Sequence, residues 1–207
     1  MNRRTARTSL AVALLGIGVW QMSAGGWIHA KAALAQVLLA NAWTRTQMGA
    51  DAAAPWPWAD TWPVARLEAP RVQADMLVLA GGSGRTLAFG PGHLDGSAMP
   101  GKPGMAVIIG HRDTHFHFLR DLLPGDTLNM TDRAGRVHHF RVRERQIVHK
   151  DRARLAMDVP GLALITCYPF DAMTTDGPLR YVILADPVAV EPPVNTIPIT
   201  TAAAPAR

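Results

Sequence analysis

Cys167 is the single cysteine of the 207-residue chain, and it stands in the run Leu164-Ile165-Thr166-Cys167-Tyr168-Pro169-Phe170. Arg180 opens an apolar run that continues to Ala185, and another apolar run from Ala106 to Gly110 ends on His111. A nucleophile, a titratable ring and a fixed cation thus lie at or beside the ends of three β-type runs. A thiol at its ordinary pKa of about 8.5 is only a few per cent thiolate at neutral pH. His111 can share that proton and later deliver it to a leaving amine. Arg180 is permanently charged and can steady a carbonyl or a tetrahedral oxyanion. Backbone amides near Cys167 and Tyr168 can complete such a hole. This combination is what acyl transfer by a cysteine transpeptidase or hydrolase requires.

Other polar residues near these runs have two readings each. Thr166 and Tyr168 flank the thiol and are candidate substrate contacts. A lone cysteine is also simply a small apolar residue when buried. Asp113, two residues past His111, can orient the ring or sit solvated. His93, in Gly90-Pro91-Gly92-His93, is either a structural loop residue or a lining of the substrate groove. His115 and His117 alternate, and His138 and His139 are adjacent. No carboxylate or cysteine sits at a recognised zinc spacing and there is no H-E-x-x-H, so no metal and no cofactor is expected.

These residues must be positioned by the rest of the chain, and its N-terminus suggests where that happens. Arg3, Arg4 and Arg7 precede an apolar run from Leu10 to Ile28, interrupted among polar side chains only by Gln21 and Ser23. As a helix at ~1.5 Å per residue this run reaches ~29 Å, close to the thickness of a bilayer's hydrocarbon core. Positive charge ahead of it favours a single-pass anchor, N-terminus inside, with the remainder exported. A cleaved signal peptide is the competing reading, with small residues at Ser23-Ala24-Gly25. Outside the cytoplasm cysteines usually come in pairs, and a single one cannot form an internal disulfide.

The formal charge of +5 is not a nucleic-acid signal. Three of the cations are the N-terminal arginines, and most of the remaining surplus lies between Arg133 and Arg154. Arg141, Arg143 and Arg145 alternate, so in a strand they share one face, either solvated or facing anionic headgroups. No aromatics are interleaved as a single-strand binding surface would need, and no nucleic acid is expected.

All 6 tryptophans lie before residue 63. The division expected is an anchor at 1–28, a helix and Trp/Pro-rich connector at 29–63, a β domain at 64–187, and a Pro/Ala/Thr-rich disordered tail at 188–207. Residues His29 to Thr46 carry helical spacing. Pro55-Trp56-Pro57-Trp58 cannot continue a helix, and its rings need somewhere to dock. Strands are expected near 64–67, 75–80, 86–89, 106–110, 127–131, 137–148, 162–167 and 180–185, separated by Gly/Pro turns, with a short helix over 116–123. The fold class is mostly β, a barrel or sandwich.

The runs Gly90-Pro91-Gly92-His93, Pro103 to Thr114 through His111, Leu164 to Phe170 through Cys167, and Arg180-Tyr181-Val182 closely resemble the sortases, over roughly Val64 to Pro187. Lys31 to Gln36 and Pro55 to Val64 look like the sortases of Gram-negative bacteria, of marine proteobacterial type. One departure is Ala163, which stands where the family's T-L-x-T-C motif begins with threonine. The resemblance implies an eight-stranded sortase β-barrel. It implies that Cys167 attacks the Thr–Gly carbonyl of an LPxTG-like C-terminal sorting signal on a protein substrate. His111 would protonate the leaving amine and Arg180 would bind the signal and stabilise the oxyanion. An amine acceptor, or water, would then release the acyl-enzyme. No dense acidic cluster suggests a calcium site. The main rival is a membrane-anchored barrel that has lost activity and serves as a binding or scaffold module, in which Cys167 would be unreactive. An L,D-transpeptidase would need a Ser/Thr-His-Gly-x-Cys segment, which is absent.

Overall fold

A computed structural model describes residues 3–172 and 177–188. The strands are β1 (Pro63–Ala69), β2 (Ala74–Ala80), β3 (Gly92–His93), β4 (Met105–Ile109), β5 (Thr127–Thr131), β6 (Val137–His149), β7 (Gly161–Tyr168) and β8 (Leu179–Pro187). They close a barrel in the order β1-β2-β3-β4-β7-β8-β6-β5. The expected tail lies outside the described residues beyond Val188.

Period-two alternation builds the interior. Leu67, Leu128, Met130, Phe140, Leu162, Leu164 and Ile183 are buried in one core, while Arg66 on β1 faces out and pairs with Asp75 on β2. β4 and β7 read instead as continuous apolar runs, because both of their faces are covered. Ala106 and Ile108 point into the barrel; Met105 and Val107 point outward with Ala163, under a second apolar layer that includes Ile109, Ile165, Leu184 and Leu155. Leu155 belongs to the β6–β7 connection, residues 150–160, which folds back over this outer face. The Met105 amide donates to the Met157 carbonyl at 3.0 Å and holds it there.

The segment over 86–89 is not a strand. Ser83 caps a short helix, α2 (Gly84–Leu87), by accepting the Thr86 amide through its hydroxyl. The local cap outcompetes extended pairing. The barrel's eighth strand is supplied by β3, in the Gly90-Pro91-Gly92-His93 loop. Glycine is needed there, since a Cβ at Gly92 would sit 2.1 Å from the Gly81 carbonyl oxygen. The helix expected over 116–123 is a 3-10 segment, His117–Asp121. A bulge between Val142 and Glu144 breaks the alternation of the β6 arginines. Arg143 reaches Asp186, whereas Arg145 pairs in register with the inward Ile183 and donates to the Leu122 carbonyl. The three arginines therefore do not share one face.

A single helix, α1 (Arg3–Gln47), runs through residue 28 without a break. No helix among the described residues is long and apolar enough to cross a membrane, so the fold lends no support to the expected transmembrane helix. Gln21, Ser23 and the glycines at 16, 18, 25 and 26 dilute the apolar run. The C-terminal part of α1 docks on the barrel through buried Ala35, Leu39, Ala42 and Trp43. In the connector, Trp56 packs edge-on to Phe89 with centroids 4.9 Å apart, and Trp62 packs against the core, while Trp58 stays exposed.

Candidate active site

Cys167 and Arg180 are partners across the β7–β8 ladder, and Arg180 is in turn opposite Val148 on β6. The three side chains form a row on one face of the sheet. Alternation along β7 puts Cys167 on the outer face with Ala163 and Ile165. The thiol is free and half-buried.

His111 reaches the same level through β4. β4 and β7 are parallel with Ile109 opposite Ile165, and the Gly110 amide donates to the Ile165 carbonyl at 3.1 Å. The next residues are locked by the Thr166 hydroxyl, which donates to the Gly110 carbonyl at 2.7 Å. One further step along each chain puts His111 level with Cys167 in the register. Gly110 must be glycine, because a Cβ would lie 2.8 Å from the buried Phe116 ring. The Phe116 amide then returns to the His111 carbonyl at 3.0 Å and closes a tight loop. His111 itself is exposed.

Arg180 donates through Nη1 to the carbonyls of Gly177 and Leu179, at 2.7 and 2.9 Å. Among the described residues its Nε and Nη2 carry no bond. Arg180 is one of the residues that line a groove of about 460 Å³. The groove's apolar walls are Val148, Leu155, Met157, Ile165, Val182 and Leu184, and its rim carries Lys150 and Arg154. Apart from Arg180, the groove residues were not singled out from sequence as site residues. The alternation Ala163, Ile165, Cys167 was the available signal, since it assigns the nucleophile to the face that the β6–β7 connection covers.

The family model for the sortase domain matches residues 67–188, which takes in the barrel from β1 to β8 and all three of these side chains. The chain belongs to the sortase family. Sortase D of Bacillus subtilis is 33% identical over 120 residues, 56% of this chain and 60% of that protein. The chain thus spans less than two thirds of that relative's length. Among solved structures, sortase A from Corynebacterium diphtheriae superposes with a TM-score of 0.58 at 28% identity, covering 66% of this chain and 65% of that one. The catalytic domain of SrtD from B. anthracis does so at 0.52 and 32% identity, covering 61% and 88%.

Other residues expected at the sortase site fall elsewhere. Thr166 is buried and its hydroxyl donates to the Gly110 carbonyl. Tyr168 faces the interior and stacks on Tyr181 at 6.1 Å. Asp113 does not hold His111; it accepts from the Arg112 guanidinium at 3.1 Å. Arg112 was missed from sequence. It is buried, and its Nη2 donates at 2.7 Å to the Ala172 carbonyl, tying the loop after His111 to the loop after Cys167. His93 is buried on β3, one strand away from β4. Its Nε2 donates to the Ala98 carbonyl at 2.9 Å, and it borders a different cleft with Trp62, Asp95 and Met99.

The remaining histidines also have partners. His138 donates to Asp132 and His139 bonds Asn129. His117 donates to the Arg112 carbonyl and meets Phe170 edge-on. Burial, and then the nearby charge of His111, hold the His115 ring below the usual histidine pKa. Among the described residues no three potential ligands gather as a metal site.

Proposed function

We propose that the chain is a cysteine transpeptidase that cleaves an LPxTG-like sorting signal between Thr and Gly. The Cys167 thiolate attacks the threonine carbonyl carbon, and the oxyanion is stabilised by Arg180 and backbone amides. The tetrahedral species collapses to a thioester as the C–N bond breaks, and His111 gives its proton to the departing glycine amine. An incoming amine, or water, then attacks the thioester and returns the thiol. The observation that carries this reading is the row Val148–Arg180–Cys167, with His111 level with the thiol and an apolar groove alongside. The test is to incubate the full chain in mild detergent with an LPxTG-type peptide and an amine. A ligated product of the expected mass supports transpeptidation. An untouched peptide under all conditions overturns it.

The same proposal includes anchoring of α1 in the inner membrane, with the barrel on the periplasmic side. Val12, Leu14, Leu15, Ile17, Val19, Trp20 and Met22 are all exposed on α1, more apolar surface than a helix in water usually leaves uncovered. Full-length protein retained in the pellet after alkaline carbonate extraction supports the anchor; a shortened soluble product refutes it. Kinship with the sortases of Gram-negative bacteria, marine proteobacterial type, rests on the stretches Lys31 to Gln36 and Pro55 to Val64 and belongs to this proposal.

A further inference from the structure

The groove beside Cys167 has a one-sided charge. Among the described residues its lining includes three cations, Lys150, Arg154 and Arg180, and no carboxylate. The nearest acid in sequence, Asp151, lies 3.5 Å from the His149 ring and is not part of the lining. Arg154 donates through Nη1 to the Ala153 carbonyl at 2.8 Å and carries no ion pair among the described residues. Lys150 is exposed and carries no ion pair among the described residues, while its amide is fixed to the Pro178 carbonyl at 2.8 Å. That bond sets Lys150 just beyond Val148, which belongs to the same row as Arg180 and Cys167.

A bound peptide meets these cations at a definite place. In an extended chain successive side chains point to opposite faces and advance ~3.3 Å per residue. If an apolar residue two positions before the attacked carbonyl sits on the floor formed by Ile165, Val182 and Leu184, the residue between points away from that floor. Its side chain then faces the rim, where the long stems of Lys150 and Arg154 can bring their charges to it.

We propose that this groove selects sorting signals with an acidic side chain at the variable position, directly before the threonine, and that Lys150 and Arg154 are the residues that choose it. The inference rests on the sorting-signal reading above. Arg180 is reserved for the reacting carbonyl, so selection falls to the other two cations. Each exposed ion pair contributes modestly, on the order of a two- to five-fold preference. Replacing attraction by repulsion against both cations makes the contrast between an acidic and a basic signal roughly ten-fold or more, and added salt shrinks it.

The test uses the full chain in detergent and three peptides that differ only at the variable position: Glu, Gln and Lys. Specificity constants are measured at low and high salt. Affinities are measured in parallel with Cys167→Ala protein, so that binding is read without turnover. The expected order is Glu over Gln over Lys, with the spread compressed at high salt. In Lys150→Glu the Glu-to-Lys ratio collapses, and in Lys150→Glu/Arg154→Glu it inverts. Arg141→Glu, an exposed cation on β6 outside the groove, leaves the ratio as in wild type. Equal cleavage of all three peptides overturns the inference and leaves the sorting-signal reading standing. Wild-type ratios in the double variant also overturn it. Neither binding nor cleavage of any peptide overturns both.

Discussion

The Thr166 hydroxyl donates a 2.7 Å hydrogen bond to the carbonyl of Gly110, joining the residue before the nucleophile to the residue before the histidine. The bond is buried, so removing the donor leaves a carbonyl without a partner in the interior, at a cost of about 1–3 kcal/mol. It also frees the two strand ends that set His111 against Cys167. Thr166→Val should therefore lower both thermal stability and turnover, and Thr166→Ser should restore most of each. Turnover falls further than stability explains, because displacing a reacting group by about 1 Å can cost roughly a hundred-fold. A Thr166→Val enzyme with unchanged kcat would show that the bond serves the fold alone.

His111 and His93 are expected to separate cleanly. His111→Ala should lose roughly 10²–10⁴ in rate while the protein stays folded, the usual loss for general acid–base catalysis. His93 is buried and bonded to the Ala98 carbonyl, so His93→Ala should lower the melting temperature and spare the chemistry of the folded fraction. Activity per folded molecule decides between them. The reverse pattern would reassign the acid–base role.

Arg180 separates charge from shape. Lysine keeps the charge but offers one ammonium in place of a planar fork. If Arg180 holds the oxyanion through directed hydrogen bonds, Arg180→Lys should fall by roughly 10²–10³, the scale of losing one oxyanion donor. Alkylation of Cys167 by a small neutral reagent needs no oxyanion hole and should change little. Full transpeptidation by Arg180→Lys would reduce Arg180 to a source of charge.

Much of this arrangement was legible before any coordinates, and the failures have physical causes. Cys167, His111 and Arg180 stood out because a lone thiol, a titratable ring and a fixed cation each lie at or beside the end of an apolar run. Register was not readable: only the parallel pairing of Ile109 with Ile165 shows that His111 and Cys167 lie level. Thr166 and Tyr168 adjoin the thiol in sequence, yet strand alternation sends both to the opposite face. The short α2 was misread as a strand because the Ser83 cap, a single side-chain bond, outweighed the local propensity. β3 is two residues long and lies among glycines and prolines, so no periodicity could reveal it. The groove is assembled from β6, β7, β8 and their connection, segments far apart in the chain.

Asp126 supplies a pH test of the scaffold. Its carboxylate accepts from Arg71 Nε and from the Leu123 amide, each at 2.6 Å. The Arg71 hydrogen bond foremost, with the Leu123 amide and the charges of Arg71 and Arg145, holds its pKa below the ordinary value despite burial. A carboxyl with a depressed folded pKa stabilises above the unfolded value of about 3.9 and loses that contribution as pH falls through the folded one. Asp126→Asn should thus melt earlier than wild type at neutral pH, with the gap narrowing as pH falls below the unfolded value of about 3.9. A gap independent of pH would show that packing, not charge, is what Asp126 provides.

Intact-protein mass measurement after brief mixing with a sorting peptide tests the central claim most directly. The account predicts an adduct equal to the acyl fragment ending in threonine, mapped to Cys167, discharged by added amine and absent from Cys167→Ala. Cleavage of the peptide by Cys167→Ala at the wild-type rate would contradict it.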